Sequence, residues 1–293
     1  MKRINFSVVT LLVIALTFVF ASCTKDGIYK PKKKISKIYE TVATAPNPEK
    51  QLKEVWFWDG KLLSKIDYGD DEIAQFVYEK KQLKSIVAGD SRIEMNYDSK
   101  GKYIDNFKLY YKNDLQATYT FEHGDKHLIS GYTIEYADDI INKSSIRLIE
   151  NVFRFITPEI ATDAAAEYAM AANSDLKGND KYTVTLSYDG KNVIDKVVKS
   201  GDVTMTYTYT YTEYLNPFYG LFEMDMDSYF SKNAVSTYVR KMSNMPDYNY
   251  DYTYQVDGKV PTQMIEHMKW EITMGGLTNT HEETIITDFE YLK

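Results

Sequence analysis

The chain has 293 residues, a formal net charge of −7 and 44% apolar residues. Its length suits one large β domain or two small ones, and its apolar fraction excludes a chain that is disordered by composition. The acidic balance argues against nucleic-acid binding, which depends on clustered lysine and arginine.

The N-terminus has the pattern of a secretory signal. Lys2 and Arg3 precede an apolar run that ends at Phe20 and is too short for a stable membrane span. The small residues directly before Cys23 resemble the lipobox of bacterial lipoproteins, in which the peptide is cut before an acylated cysteine. Cys23 is the only cysteine. We therefore predict a signal peptide at 1–22 and lipidation of Cys23. The alternative is an ordinary secretory signal with an incidental thiol.

An acylated Cys23 makes the lipid bilayer a predicted partner, because several acyl chains exceed what stable anchoring requires. The predicted location is the cell envelope, lipid-anchored to the outer membrane, with the periplasmic or surface face left open. Residues 23–49 are predicted to be the lipidated cysteine and a flexible tether, since Lys30 to Lys34 are basic and Ala45 to Pro48 are proline-rich. The lysines fit either anionic lipid headgroups or a solvated linker.

From residue 50 onward the sequence repeats an aromatic strand, a polar turn and a second strand. Asp-Gly between two apolar runs, as after Trp58, is the strongest short hairpin signal, because Gly supplies positive φ. The aromatic residues Trp58, Tyr78, Tyr97 and Phe121 are spaced by 20, 19 and 24 residues. This spacing is the length of one hairpin and predicts an antiparallel meander.

The middle of the chain departs from this pattern. Thr157-Pro158-Glu159 is typical of a helix start, and Gly178 is placed to end the helix. An Ala-rich four-residue periodicity between them predicts one α-helix at about 158–176, within an insertion at about 140–178.

Strands resume after the insertion and continue to the C-terminus. In Val203–Tyr214, threonine alternates with Met205 and with tyrosines, so the two residue types are predicted to project from opposite faces. The predicted fold class is therefore mainly β: an antiparallel meander curled into an open or half barrel, forming one domain at 50–293. A lipid-embedded barrel is disfavoured, because charged residues fall on both faces of the strands.

Two resemblances follow from these motifs. The Tyr-Asp-Gly-Lys phrase resembles the Tyr-Asp repeats of Rhs-type β-meander proteins. The lipobox, the hairpin array, the insertion and the loop from Asn216 to Leu221 resemble a family of Bacteroidota lipoproteins of unknown function with a porin-like fold. This second resemblance implies a long meander over about 50–293 and implies no catalytic residue.

No motif for catalysis, cofactor binding or metal binding emerges. The weak candidates are His123 with His127, His281 with its two glutamates, and Asp225 with Asp227. Solvated turns explain them better than metal sites, which show tighter grouping of ligands. We therefore predict no cofactor, no metal and no enzymatic activity.

The leading functional hypothesis is a non-enzymatic envelope lipoprotein that binds a glycan or peptide in a concave face. The candidate ligand-binding residues are Trp56, Trp58, Phe218 and Tyr219, since aromatic rings at a surface can stack on sugar faces and loops usually carry recognition. A periplasmic lipid or lipoprotein carrier and a carbohydrate-active enzyme stay open as alternatives. The first would need an aliphatic cavity and the second a facing pair of carboxylates.

Overall fold

The described part of the chain is built from β-strands. The computed structural model describes residues 33–69, 73–80, 82–101, 103–124, 128–137, 182–201, 203–218, 231–242, 247–274 and 277–293. These residues form sixteen strands and no helix. In the same ranges, no helix of sufficient length and apolarity to cross a bilayer is found. The predicted helix at 158–176, like the whole predicted insertion at 140–178, lies outside the described residues.

The strands follow one another along the chain with short connections, apart from the segments between β9 and β10 and between β12 and β13. Their bounds are β1 Ile35–Val42, β2 Gln51–Asp59, β3 Leu62–Asp67, β4 Ile73–Glu79, β5 Gln82–Ala88, β6 Ser91–Tyr97, β7 Ile104–Tyr111, β8 Asp114–His123, β9 Ile129–Tyr136, β10 Tyr182–Asp189, β11 Asn192–Ser200, β12 Val203–Leu215, β13 Asn233–Met242, β14 Tyr248–Asp257, β15 Val260–Met274 and β16 Leu277–Tyr291.

The sheet is a closed barrel. Each strand pairs antiparallel with its neighbours in sequence, and β1 pairs with β16 to complete the circle. At this seam Ile35 lies opposite Tyr291 and Val42 lies opposite Ile285. The predicted open or half barrel is therefore wrong. Closure gives both terminal strands a partner and so removes the exposed edges that an open meander would keep.

The closing strand β1 lies inside the segment 23–49, which the sequence predicted to be a tether. Ile35 and Ile38 of β1 are buried in the barrel interior, and β1 pairs with both β2 and β16. The prediction of a tether is thus corrected for residues 35–42. The tether was predicted because lysines surround Ile35, and the strand pattern of apolar and polar residues between them is short.

Alternate side chains separate an apolar interior from a polar outer wall. The inward-facing isoleucines Ile66, Ile86, Ile93 and Ile134 are 0% exposed. The strand β12 confirms the predicted alternation: Met205, Tyr207 and Tyr209 are buried, whereas the threonines between and after these tyrosines are exposed. One face of the sheet therefore supplies the hydrophobic core and the other meets water.

Rings stack across neighbouring strands within this interior. Phe107 of β7 and Tyr119 of β8 have ring centroids 4.3 Å apart, and Tyr238 of β13 and Tyr250 of β14 have centroids 4.2 Å apart. Each pair occupies directly opposed positions in the ladder. Such cross-strand aromatic pairs stabilise a sheet beyond the burial of their area.

In several hairpins the repeated aromatic residue has a structural role that we call an aromatic latch. A latch is a hydrogen bond from an aromatic side chain at the end of one hairpin to a carbonyl of the neighbouring hairpin. In Tyr78, the phenol donates to the carbonyl of Leu63 at 3.0 Å, and in Tyr97 it donates to Leu83 at 2.5 Å. The accepting residue directly precedes a β-bulge in each case. Because a bulge disrupts the hydrogen bonds of the ladder, the carbonyl beside the bulge needs another partner, which the aromatic side chain supplies.

The latches recur around one end of the barrel. The further donor–acceptor pairs are Trp58 to Ile35 at 2.8 Å, His123 to Ile104 at 2.9 Å, Tyr211 to Val193, Tyr254 to Val235 at 2.7 Å and Tyr291 to Pro261 at 2.6 Å. His123, rather than the predicted Phe121, occupies this position in its hairpin. Phe121 is instead buried in the core. The aromatic residues that recur in the sequence therefore include the donors of hydrogen bonds that link neighbouring hairpins at this end of the barrel.

Candidate functional site

The two ends of the barrel differ, and we name them by the chain ends. The terminal rim is the end at which β1 begins at Ile35 and β16 ends at Tyr291, and it carries the latches. The distal rim is the opposite end, where β1 ends at Val42 and β15 connects to β16. The long strands β15 and β16 pair up to Met274 opposite Leu277, whereas β14 begins opposite Trp270. A two-stranded ribbon therefore projects from the distal rim.

Four planar side chains form a row across the strands at the base of this ribbon. Arg240 lies opposite Tyr248 across β13 and β14. Trp270 lies opposite Tyr248 on one side and His281 on the other. We call Arg240, Tyr248, Trp270 and His281 the aromatic row. Since Tyr248 is two residues from the buried Tyr250, the row projects from the inward face of the sheet.

The members of the aromatic row are stacked on one another. The Arg240 guanidinium lies 4.0 Å from the ring centroid of Tyr248. The Tyr248 and Trp270 centroids are 5.8 Å apart with planes at 18°, and the Trp270 and His281 centroids are 5.2 Å apart with planes at 12°. This arrangement combines aromatic stacking with a cation–π contact at one end.

The row is accessible, unlike the aromatic core. His281 is exposed, and Arg240, Tyr248 and Trp270 are half-buried. The β1 strand reaches only as far as Ile285 along β16, so β1 does not cover the side of His281 that faces away from Trp270. The row therefore offers guanidinium, indole, imidazole and phenol donors beside apolar planes at the mouth of the barrel.

Two inward glutamates continue the site toward the barrel interior. Glu283 lies opposite Met268, and Glu266 lies opposite Tyr252. Burial raises the pKa of the Tyr252 hydroxyl well above its usual value, and the charge of Glu266 adds to this rise. Burial also raises the pKa of Tyr250, while the Arg240 guanidinium acts in the opposite direction. Both phenols are therefore protonated hydrogen-bond donors at neutral pH.

Two charged side chains lie in the apolar interior itself. The Lys196 ammonium is 5.7 Å from the ring centroid of Tyr132 and 5.4 Å from that of Tyr207, and the residue is 2% exposed. The Glu54 carboxylate accepts a hydrogen bond from the Trp56 indole at 2.8 Å. The rings thus supply a cation with π faces and an anion with an N–H donor.

The structure brings three of the predicted ligand-binding residues together. The Trp56 ring centroid lies 6.3 Å from that of Trp58 and 6.3 Å from that of Phe218. Phe218 also packs edge-on against Phe289, at 5.8 Å. Trp56 and Phe218 are buried, at 3% and 8% exposure. Tyr219 and the lipidation site Cys23 lie outside the described residues. Ligand binding by these residues stays a prediction.

The loop from Asn216 delivers Phe218 to the barrel interior. The Asn216 side chain accepts a hydrogen bond from the Phe218 backbone N–H at 2.9 Å and donates to the Ser231 carbonyl at 3.1 Å. This asparagine turn, followed by Pro217, bends the chain at the end of β12. The loop therefore places an apolar side chain into the terminal half of the barrel.

The weak metal candidates of the sequence are not assembled among the described residues, which contain no group of three or more His, Cys, Asp or Glu side chains that could hold an ion. Of these candidates, His123 is a latch donor and His281 belongs to the aromatic row. His127, Asp225 and Asp227 lie outside the described residues.

Sequence patterns did not single out the aromatic row. The alternation of tyrosines from Tyr248 to Tyr254 was a visible signal for one inward aromatic face. The register that sets Trp270 between Tyr248 and His281 depends on pairing among three strands, which local patterns do not reveal.

Comparison with known proteins supports the fold. No protein-family model matches the sequence, and no curated protein matches it either. A solved porin-like protein from Bacteroides uniformis is similar at a TM-score of 0.50 and 12% identity, over 87% of this chain and 98% of the other. A porin-like protein from Bacteroides vulgatus reaches a TM-score of 0.36 at 10% identity, over 89% of this chain and 99% of the other. At 12% identity the first likeness shows that this chain has a porin-like β-barrel fold.

Proposed function

We propose that this protein is a non-enzymatic lipoprotein of the cell envelope that binds a ligand at the distal rim of its barrel. The observation that carries the binding function is the aromatic row, because its four stacked planar side chains lie accessible at the mouth of the barrel, whereas the stacked pairs of Phe107 with Tyr119 and of Tyr238 with Tyr250 are buried in the core. A binding site of this kind combines apolar planes with a few polar groups that fix orientation.

A glycan is the ligand class that this chemistry fits best. The apolar face of a sugar ring can lie against indole and phenol planes, while its hydroxyls accept from N–H donors and donate to Glu283 and Glu266. A peptide with an aromatic side chain is the second class, since the exposed His281 ring offers a stacking surface.

The alternative of a lipid carrier has weaker support. The aliphatic side chains of the interior form one cluster in which Ile66, Ile86 and Ile93 are already fully buried against their neighbours. An acyl chain would have to displace these contacts, which a close-packed interior resists. The distal rim offers mixed aromatic and charged groups instead, and these suit a polar ligand.

Substitution of Trp270 should weaken ligand binding. After a glycan array has identified a ligand for the purified barrel, Trp270→Ala is expected to lower its affinity at least about tenfold, because the central plane of the row is lost. Titration calorimetry measures the change. The matched control is Phe57→Ala, which removes an outward-facing ring that is 41% exposed. Equal affinities of Trp270→Ala and the native protein would refute the assignment.

The proposed anchor has its own test. In cells that process lipoproteins, radiolabelled palmitate is expected to enter the native protein and to be absent from Cys23→Ala, since Cys23 is the only thiol in the chain. The native protein is expected in the membrane fraction and the variant in the soluble fraction. Equal labelling of the two would show that Cys23 is not acylated.

A further inference from the structure

The barrel is electrostatically polarised along its axis. Among the described residues, the two rims differ in the charged residues of their connections and strand ends. At the terminal rim there are nine lysines and five carboxylates. At the distal rim there are two lysines and five carboxylates in the corresponding positions. Over the described residues the terminal rim therefore carries an excess of positive charge, although the formal net charge of the chain is −7.

The lysines of the terminal rim belong to its successive connections. Those of the hairpin connections are Lys61, Lys80, Lys100, Lys191, Lys232 and Lys259, and those flanking β1 and β16 are Lys33, Lys34 and Lys293. The carboxylates of this rim are Asp59, Glu79, Asp98, Asp189 and Asp257. Because the latches hold neighbouring hairpins together, the lysines are presented as a ring rather than as separate flexible tips.

Contacts within the barrel account for only some of these lysines: Lys33 pairs with Asp257, and Lys34 donates to the Gly60 carbonyl. Lys61, Lys80 and Lys100 are exposed, and within the described residues they make no hydrogen bond or ion pair. Lys259 has a partner in Glu213 at 3.5 Å, but both side chains are more than half exposed. Exposed pairs of this kind contribute little to folding. The exposed ammonium groups of Lys61, Lys80 and Lys100 can therefore meet an external anionic surface.

We propose that the terminal rim docks the barrel onto an anionic phospholipid membrane. Lysines near such a surface are attracted by its negative potential, each strengthening binding about fivefold. The segment that carries Cys23 joins the barrel at this same rim, and the sequence directly before Lys33 adds Lys30 and Lys32. The inference deepens the proposed function, on which it rests for its cellular setting. The docked barrel would present the aromatic row away from the membrane.

The test uses the chain from residue 24, which lacks Cys23 but retains all sixteen strands. Sedimentation with vesicles of phosphatidylcholine alone is compared with sedimentation with vesicles that contain phosphatidylglycerol as well. We expect binding to the anionic vesicles at low ionic strength and its loss near about 1 M salt, where the Debye length is about 3 Å. Absence of a preference for anionic vesicles would overturn the proposal.

Two variants with the same change in net charge distinguish an effect of the rim lysines from a general effect of charge. The rim variant combines four substitutions at the terminal rim: Lys61→Gln, Lys100→Gln, Lys191→Gln and Lys259→Gln. The second variant combines four substitutions of other lysines: Lys108→Gln, Lys199→Gln, Lys241→Gln and Lys269→Gln. The rim variant should bind anionic vesicles at least about tenfold more weakly, and the second variant within about twofold of the native chain. Equal losses would show a general charge effect and overturn the proposal. Because the assay contains neither an acyl anchor nor a glycan, its outcome is independent of the Cys23 and Trp270 tests.

Discussion

The substitution Ile38→Asp is expected to lower the free energy of unfolding by more than about 4 kcal/mol, because it removes a buried aliphatic side chain and buries an unpaired carboxylate. Ile38 is 2% exposed and lies between Phe289 of β16 and Glu54 of β2 in the ladder. With total stabilities of about 5–15 kcal/mol for typical domains, a loss of this size leaves a large unfolded fraction.

The control for this prediction is Thr41→Asp on the same strand. Thr41 lies opposite Ile286 and faces outward, three residues from Ile38. Its replacement should change the unfolding free energy by less than about 0.5 kcal/mol, as is usual for surface positions. Chemical denaturation followed by circular dichroism measures both variants. If Ile38→Asp were as stable as Thr41→Asp, β1 would behave as a tether and the barrel would not be closed.

Removal of four aromatic latches is the second change with a large expected effect. The variant with Tyr78→Phe, Tyr97→Phe, Tyr254→Phe and Tyr291→Phe keeps every ring and loses four phenol donors. Each lost hydrogen bond should lower the unfolding free energy by about 1 kcal/mol, and most of the four sites share no partner. We therefore expect a total loss of roughly 4 kcal/mol, measured from urea denaturation curves.

The latch prediction has a neighbouring control. Tyr110 faces outward on β7, at the distal end of the hairpin that carries Tyr97, and its ring meets the Arg92 guanidinium at 4.8 Å. Tyr110→Phe keeps this cation–π contact and should be nearly neutral. If the four-fold variant were no less stable than Tyr110→Phe, the latches would make no net contribution, and the repeated aromatic would be explained by core packing alone.

The latches also explain why the repeat in the sequence is loose. The donor in a given hairpin is Trp58, His123 or one of several tyrosines, so any ring with a suitably placed N–H or O–H meets the requirement. The turn length varies freely as long as the ring reaches the carbonyl beside the previous bulge. A recurring hydrogen bond of this kind therefore requires aromatic residues at a similar spacing but no strict motif.

The difference in charge between the two rims would connect the proposed membrane docking with the proposed ligand binding. The terminal rim combines lysines with the strand that follows the Cys23 segment, and the distal rim combines carboxylates with the aromatic row. A membrane at the first rim and a soluble ligand at the second would occupy opposite ends. Binding of one would therefore leave the other end accessible.

Local features of this protein could be read from its sequence. The Asp-Gly turns after Trp58 and Tyr188 and the alternation in β12 were predicted, because a hairpin depends on residues only a few positions apart. The inward and outward faces of β12 followed from the two-residue period of a strand. The meander order followed as well, since tight turns make neighbours in sequence neighbours in the sheet.

Closure, the latches and the aromatic row were decided by contacts between distant parts of the chain. The seam joins Ile35 to Tyr291, and the row aligns Arg240 with His281 through two intervening strands. Such registers depend on bulges and on the packing of the whole interior, and a shift of one residue would turn each side chain to the other face. Turn and alternation signals carry no information on whether the first strand pairs with the last. Only the folded barrel therefore places these residues side by side.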